Sequence, residues 1–270
     1  MSSQSIDKTV SRVNQFIAEA QYYEAHQAVR TVVNRLLRKK DYGSAIGLLY
    51  SSALLLLKAG QSGSGSDLIL YILKIYTDAK IKVDGPSKGR IAELVYQVDP
   101  TDTVLKQIAM QTMRSWAVGE ADLSHVFGVQ FLRGGNLVDA ERYLFQGSVD
   151  SAILMANVHE KLQPQIPIDH LMARAVFGYL AVQNIRGAYA YIQVIEMANV
   201  ANADSLDLMR MFVETCQTKD AQLYKRFTQI LDLKSTFGDF SGAIQVIEKD
   251  YFQIFPYKQP SLSDLLGGMM

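Results

Sequence analysis

Apolar residues recur at helical spacing in the N-terminal part of the chain. Between Glu24 and Lys40 they fall on one face of a helix, while the opposite face is polar. The segments from Tyr42 to Leu57 and from Asp67 to Ala79 are apolar almost all round, which is typical of helices inside a stack. No segment of the sequence alternates with a sustained period of two, so strands are not predicted. The pattern therefore predicts an all-α protein.

Short breaks divide these segments. The run GQSGSG, residues 60–65, is predicted to be a flexible turn, with Ser66 or Asp67 capping the next helix. Asp84-Gly85-Pro86 places a proline near the first turn of a further helix. Other breaks lie at Asp99-Pro100, at Gly134-Gly135, and at Pro164 and Pro167. We therefore expect about thirteen helices joined by short loops.

A weak repeat begins several of the predicted helices. A polar residue is followed directly by a large apolar residue, and alanine comes three residues after the apolar one. The copies start at Gln21, Asp41, Asn136, Asn184 and Asp239. The polar residue can cap the helix, and the alanine lets a neighbouring helix approach closely. This resembles the second-helix start of tetratricopeptide-like hairpins, although the copies are unevenly spaced. The predicted fold is one continuous α-solenoid of stacked tetratricopeptide-like helical hairpins.

Composition narrows the class of protein. The chain has 270 residues, and its 27 basic and 27 acidic residues balance, so overall charge gives no reason to expect nucleic acid or an acidic membrane. The longest uncharged stretch, residues 42–57, is shorter than the roughly 20 apolar residues that span a bilayer. The single cysteine, Cys216, fits a reducing compartment, and no secretory signal pattern is visible. We expect a soluble, cytosolic protein that does not insert into membranes.

Residue patterns for catalysis or metal binding are weak. No two of the four histidines are three to five residues apart, so no metal pair sits on one helical turn; His159-Glu160 is followed by Gln163 where a zinc-protease helix needs a second histidine. Cys216 is expected to be a small buried hydrophobe. Residues 63–65 could receive a phosphate at a helix start, but the lysine of a Walker loop is missing, which favours a linker. We expect no enzyme, cofactor or metal.

Two segments have residue patterns that indicate a binding role. The first is a basic stripe without an intervening acid, formed by Arg30, Arg35, Arg38, Lys39 and Lys40. The stripe is either a solvated face or a docking stripe for an acidic partner. Binding of nucleic acid is a third and less favoured interpretation. The second is the C-terminal tail, where Leu262, Leu265, Leu266 and Met269 follow helical spacing. The tail can pack on the protein's own helices or on a partner.

Longer motifs carry a family resemblance. Residues 22–76 read YYEAHQAVRTVVNRLLRKKDY and, further on, GQSGSGSDLILYILKIY. With residues 98–100, 140–143, 215–220 and the leucine- and glycine-rich ending, this chain resembles the Golgi to ER traffic protein four family, the scaffold of the tail-anchored protein targeting pathway. The resemblance implies a non-enzymatic, all-α solenoid of tetratricopeptide-like hairpins.

The resemblance also implies partners. The N-terminal half, residues 1–147, would dock on the targeting ATPase, Golgi to ER traffic protein three, favour its nucleotide-bound closed form and restrain its hydrolysis. The C-terminal half, residues 148–270, would bind the ubiquitin-like adaptor, Golgi to ER traffic protein five, which recruits a small glutamine-rich co-chaperone. Carried onto the matching positions, the ATPase-facing surface comprises Tyr22, Arg30, Arg38 and Asp67, and Lys39 is added because it extends the same charge.

Several alternatives stay open at these positions. The arginines can pair with carboxylates of the ATPase, Tyr22 can be partly structural, and Asp67 can be only a helix cap. Some relatives carry a longer insertion near Ala198–Leu206 that forms a β-hairpin against the adaptor, and here the hairpin must be small or absent. No adaptor-binding residue is therefore assigned. A general tetratricopeptide-like peptide-binding module, selective for acidic C-terminal peptides, is the alternative function.

Overall fold

The computed structural model describes residues 3–231 and 236–255, which form fourteen α-helices. These residues contain no strand, so the predicted all-α class is confirmed. The chain divides into two compact units, Met1–Ser148 and Val149–Met270. The described residues contain no helix with the length and apolar character needed to cross a membrane.

The first unit contains eight α-helices, of which the first seven form two layers. Their bounds are α1 Ser3–Ala18, α2 Tyr22–Arg38, α3 Tyr42–Lys58, α4 Ser62–Asp78, α5 Gly85–Gln97, α6 Val104–Gln111, α7 Ala121–Arg133 and α8 Leu137–Leu144. A π-helical turn, Thr112–Trp116, extends α6. Helices α2, α4 and α6 lie side by side in one layer, and α1, α3, α5 and α7 form the other. Between the layers lie fully buried leucines and isoleucines such as Leu36, Leu49 and Ile72, so consecutive helices pair into stacked hairpins as in an α-solenoid.

The turns between the first helices share one geometry. Helices α2, α3 and α4 each have seventeen residues. Ala20, Lys40, Gly60 and Lys80 follow at intervals of twenty residues, and all have positive φ angles, between 51° and 75°. The amide after each of these residues donates back across the turn to the preceding helix, as Asp41 does to the Leu36 carbonyl at 3.0 Å. This arrangement satisfies carbonyl groups that would be unpaired at the helix ends.

The predicted flexible turn at residues 60–65 is wrong. Helix α4 already begins at Ser62, with Gln61 at the N-cap position, so neither Ser66 nor Asp67 caps it. A Cβ atom on Gly65 would lie 2.5 Å from Leu57 Cγ, closer than side chains approach one another. The close packing of α3 against α4 therefore favours glycine at this position.

Four of the five predicted repeat copies begin helices as expected. The side chains of Asp41, Asn136 and Asn184 accept hydrogen bonds from backbone amides three residues later. Gln21 occupies the same position without a side-chain bond. The alanines of these four copies, Ala25, Ala45, Ala140 and Ala188, are fully buried.

The fifth copy, at Asp239, is wrong. The helix there begins at Ser241, after a 3-10 turn at Gly238–Phe240, so Asp239 does not cap it. The next residue along, Ile244, is fully buried, while Ala243 is only partly buried. The helix therefore packs with a different register from the other copies.

Within its described residues, the second unit contains the remaining six α-helices. They are α9 Val149–Leu162, α10 Ile168–Ala181, α11 Ile185–Ala198, α12 Ala203–Thr218, α13 Ala221–Ile230 and α14 Ser241–Phe252. Helix α11 packs on α9, α10 and α12, and α10 also contacts α12 and α14. The buried Phe177 on α10 makes an edge contact with Phe212 on α12, with ring centroids 5.4 Å apart. This core holds the hairpins of the second unit together.

The connection between α11 and α12 is short. Asn199, in the left-handed region at φ 52°, ends α11, and Asn202 caps α12 through a hydrogen bond from the Asp204 amide. Residues 199–202 contain no strand, so the β-hairpin considered for this segment is absent. The C-terminal tail with Leu262, Leu265, Leu266 and Met269 lies outside the described residues.

Candidate docking surface

A polar cluster joins α2 to α4. Tyr22, His26, Arg30 and Asn34 follow one another at intervals of four along α2, so neighbours in this series lie one turn apart on the helix surface. Arg30 Nη1 donates to Asp67 Oδ2 at 2.5 Å, and His26 Nε2 lies 2.8 Å from the same oxygen. The structure thus brings two of the predicted site residues, Arg30 and Asp67, into direct contact. It also rejects the reading of Asp67 as a helix cap, because Asp67 is the sixth residue of α4.

Tyr71, one turn after Asp67, completes the cluster. The guanidinium carbon of Arg30 lies over the Tyr71 ring, 5.3 Å from its centroid, in cation–π geometry. The Tyr71 hydroxyl donates to Asn34 Oδ1 at 2.5 Å. Arg30 is therefore held on two sides, by a carboxylate and by an aromatic face. This fixes the direction in which it points.

The electrostatics of the cluster favour an ionised carboxylate. Burial alone would raise the pKa of Asp67, but hydrogen bonds from His26 and Arg30, together with the Arg30 charge, outweigh burial and lower the pKa. The Arg30 charge is therefore balanced within the protein. Both side chains remain 40–44% exposed, so a partner can still reach them.

Two shallow grooves adjoin the cluster. One, of about 440 Å³, is lined by Arg30, Asn34, Asp67, Leu70, Tyr71, Lys74 and Gln111, and so reaches from α2 across α4 to the end of α6. The other, of about 320 Å³, is lined by Leu37, Tyr42, Tyr71, Lys74, Ile75, Asp78 and Ala79. Tyr71 and Lys74 line both grooves. These grooves, together with the exposed end of α2, form the candidate docking surface.

The basic stripe does not form a single face. Arg38 is the last residue of α2 and Lys39 is its C-cap, and both are exposed four to five residues beyond Asn34. Arg35 instead lines a separate groove with Arg12 and other residues of α1 and α2. Tyr22, at the start of α2, is half-buried, which agrees with a partly structural role. The stripe therefore splits between two faces of α2.

The sequence left several residues of this surface unassigned. The sequence patterns assign no docking role to His26, Asn34, Tyr71 or Lys74. His26 and Asn34 lie four residues before and after Arg30 on α2, and Tyr71 lies four residues after Asp67 on α4. This spacing indicates that the three side chains adjoin the Arg30–Asp67 pair, once α2 and α4 are known to be adjacent.

Two histidines and the cysteine of the second unit have structural surroundings. His159 is buried, with Nδ1 2.8 Å from the Tyr191 hydroxyl, and His170 packs against Phe240. Burial raises the pKa of the Cys216 thiol to about 12, so it is a poor nucleophile at neutral pH. Residues 63–65 lie within α4 and form no phosphate loop. Over the described ranges, no group of histidine, cysteine and acidic side chains is arranged to hold a metal ion.

The fold and the surface define a class: a helical-hairpin repeat protein with an open, polar candidate docking face on paired helices. The sequence profile of Golgi to ER traffic protein 4 matches residues 39–270. The chain belongs to the Golgi to ER traffic protein 4 family, as the resemblance indicated, and this membership implies a role in the Golgi to ER traffic pathway.

Relatives and a solved structure agree with this family. Golgi to ER traffic protein 4 of Aspergillus fumigatus is 28% identical over 98% of this chain and 90% of its own length. The Schizosaccharomyces pombe protein of the same name is 24% identical over 92% of this chain and 90% of its own length. The crystal structure of C. therm. Get4 superposes with a TM-score of 0.82 at 25% identity, covering 98% of this chain and 96% of that one. The helical-hairpin architecture is therefore shared.

Proposed function

We propose that this chain is a non-enzymatic, cytosolic scaffold in the post-translational targeting of tail-anchored membrane proteins to the ER. It brings the targeting ATPase, Golgi to ER traffic protein three, together with the ubiquitin-like adaptor, Golgi to ER traffic protein five. The adaptor carries the small glutamine-rich co-chaperone and its client into the same assembly. The observation that carries the proposal is the docking surface on α2 and α4, found in a chain of this family.

The ATPase docks on the first unit through Tyr22, Arg30, Arg38, Lys39 and Asp67. Arg38 and Lys39 are exposed cations at the end of α2, where charge can steer an acidic partner into place. The Arg30–Asp67 pair supplies a fixed polar centre on the neighbouring α4. By contacting the nucleotide-bound closed form of the ATPase more extensively than the open form, the surface favours the closed form and restrains hydrolysis.

The adaptor binds the second unit, residues 149–270. Holding both partners on one chain converts their encounter into an intramolecular step, with an effective concentration on the order of millimolar for short flexible tethers. The scaffold thereby promotes client transfer without catalysing a reaction itself.

Charge reversal at the end of α2 tests the ATPase site. Arg38→Glu is compared with Lys58→Glu, because Arg38 and Lys58 are both the exposed last residue of a seventeen-residue helix. Both changes place the same unfavourable charge at a helix C-terminus, so their effects on the helix itself are matched. Affinity for the purified ATPase is measured by calorimetry at low and high salt, and adaptor binding is measured alongside.

We expect Arg38→Glu to weaken ATPase binding by about tenfold or more, since it replaces an attraction by a repulsion. Lys58→Glu should bind as the wild type does, both variants should retain the adaptor, and salt should weaken wild-type ATPase binding. Equal losses in the two variants would move the site away from α2. A wild-type protein that binds neither ATPase nor adaptor would refute the scaffold function.

A peptide-binding module is the second candidate, because Arg30, Asn34 and Lys74 line an open groove beside the Tyr71 ring. Such donors suit the carboxylates of an acidic C-terminal peptide. Fluorescence polarisation with labelled peptides ending in aspartate or glutamate separates the two functions. Selective binding that Lys74→Glu abolishes would favour the peptide module, and absence of binding would leave the scaffold.

A further inference from the structure

The groove between α2, α4 and α6 is lined by two cations, Arg30 and Lys74, and only Arg30 is neutralised by a described residue of the protein. Arg30 is bonded to Asp67 and lies over Tyr71. Lys74, on the next turn of α4, lines both grooves and is exposed. Among the described residues Lys74 has no ion-pair partner, although Asp78 lies one turn further along the same helix. The charge of Arg30 is therefore already paired, whereas the charge of Lys74 is available to a ligand.

We infer that Lys74 is the residue of the groove between α2, α4 and α6 that binds a carboxylate of the docked ATPase, while the Arg30–Asp67 pair positions the groove. This inference rests on the proposed function and names a contact that the ATPase-facing residues Tyr22, Arg30, Arg38, Lys39 and Asp67 do not include. The partner segment is acidic and contributes an aspartate or glutamate side chain beside the Tyr71 ring.

The charge balance of the groove supports this division of roles. An incoming carboxylate that bound Arg30 would have to compete with Asp67, whose carboxylate is already in place and held by a second donor, His26. No described carboxylate is within ion-pair distance of Lys74, Asp78 included, so an ion pair with a partner costs mainly its hydration and side-chain freedom. The ammonium group also has three donors on a flexible stem, which can adjust to a carboxylate at the groove mouth.

The neighbouring side chains define what a carboxylate would meet. Asn34, whose Oδ1 accepts from Tyr71, lies on the α2 side, and Gln111 lies at the end of α6. Both carry amide groups that can complement a carboxylate without adding charge. The site is therefore selective for one acidic side chain and does not form a broad basic patch.

Two variants separate the roles of Lys74 and Arg30. Lys74→Gln removes one charge from the groove, and Lys58→Gln, an identical exchange at an exposed position of α3, is its control. The double variant Arg30→Gln/Asp67→Asn removes the internal ion pair and leaves the net charge unchanged. Lys74→Arg tests whether a different cation restores the contact. Circular dichroism confirms that each variant is folded, and affinity for the purified ATPase is measured from low to high salt.

We expect Lys74→Gln to weaken binding about fivefold at low salt and to reduce the dependence of the affinity on salt. Lys58→Gln should match the wild type and Lys74→Arg should stay close to it. The double variant should weaken binding because the groove is no longer held in position, but it should keep the wild-type salt dependence because its net charge is unchanged. Wild-type affinity and salt dependence in Lys74→Gln would overturn the inference, even where Arg38→Glu abolishes binding and the proposed function stands. Failure of the wild type to bind the ATPase would overturn both.

Discussion

Replacing Gly65 by alanine tests how closely α4 packs against α3. The docking surface depends on this packing because part of it lies on α4. The added Cβ would lie 2.5 Å and 2.6 Å from Leu57 Cγ and Cδ2, and 3.4 Å from the Ala53 carbonyl oxygen. Overpacking of this kind costs about 1–3 kcal/mol, because the neighbours must leave their rotamers or shift. The exchange also gains about 1 kcal/mol of helix propensity. The net effect is therefore between neutral and a loss of about 2 kcal/mol.

Gly47→Ala is the matched control. Gly47 lies inside α3, is exposed, and has no atom within 4 Å of an added Cβ, so only the gain in helix propensity applies. It should raise the free energy of unfolding by up to about 1 kcal/mol. The two variants should thus differ by about 1–3 kcal/mol in urea unfolding followed by circular dichroism. Equal stabilisation by both alanines would show that α3 and α4 do not approach as closely as described.

Further predictions follow from caps, charges and burial. Asp41→Ala removes the hydrogen bond from the Ser44 amide at the start of α3 and should cost about 1 kcal/mol in urea unfolding, whereas Gln21→Ala, at a cap without a side-chain bond, should change little. Burial opposes ionisation of Asp139, but hydrogen bonds from Lys106 and Asn136 outweigh it and hold its pKa below the ordinary 3.8. This stabilisation is complete above pH 3.8 and is lost as the pH falls through the lowered pKa, so Asp139→Asn should flatten that part of the acid unfolding curve. Cys216 should react with a thiol reagent at neutral pH only after unfolding, and rapid labelling of the native protein would contradict its burial.

Local sequence rules predicted the helices well because their signals are local. The caps at Asp41, Asn136 and Asn184 form within three residues, and the alanine that follows each of them is buried. The same rules failed at Gly60–Gly65, where a glycine- and serine-rich run suggested flexibility. There the deciding contact is with Leu57 on the preceding helix, and composition alone does not show how closely two helices pack.

The docking surface was only half predictable because its polar contacts join different helices. Arg30 and Asp67 are 37 residues apart, and their ion pair exists only because α2 and α4 lie in the same layer. From the sequence of α2 alone, Arg30 is expected to be one more unpaired cation of the basic stripe. Once α4 is placed beside α2, Arg30 is a neutralised and fixed group, and the charges of this surface that no described residue neutralises are Arg38, Lys39 and Lys74. The surface is therefore less basic at its centre than the stripe suggests, and a partner that recognises it must place its acidic groups around the Arg30–Asp67 pair.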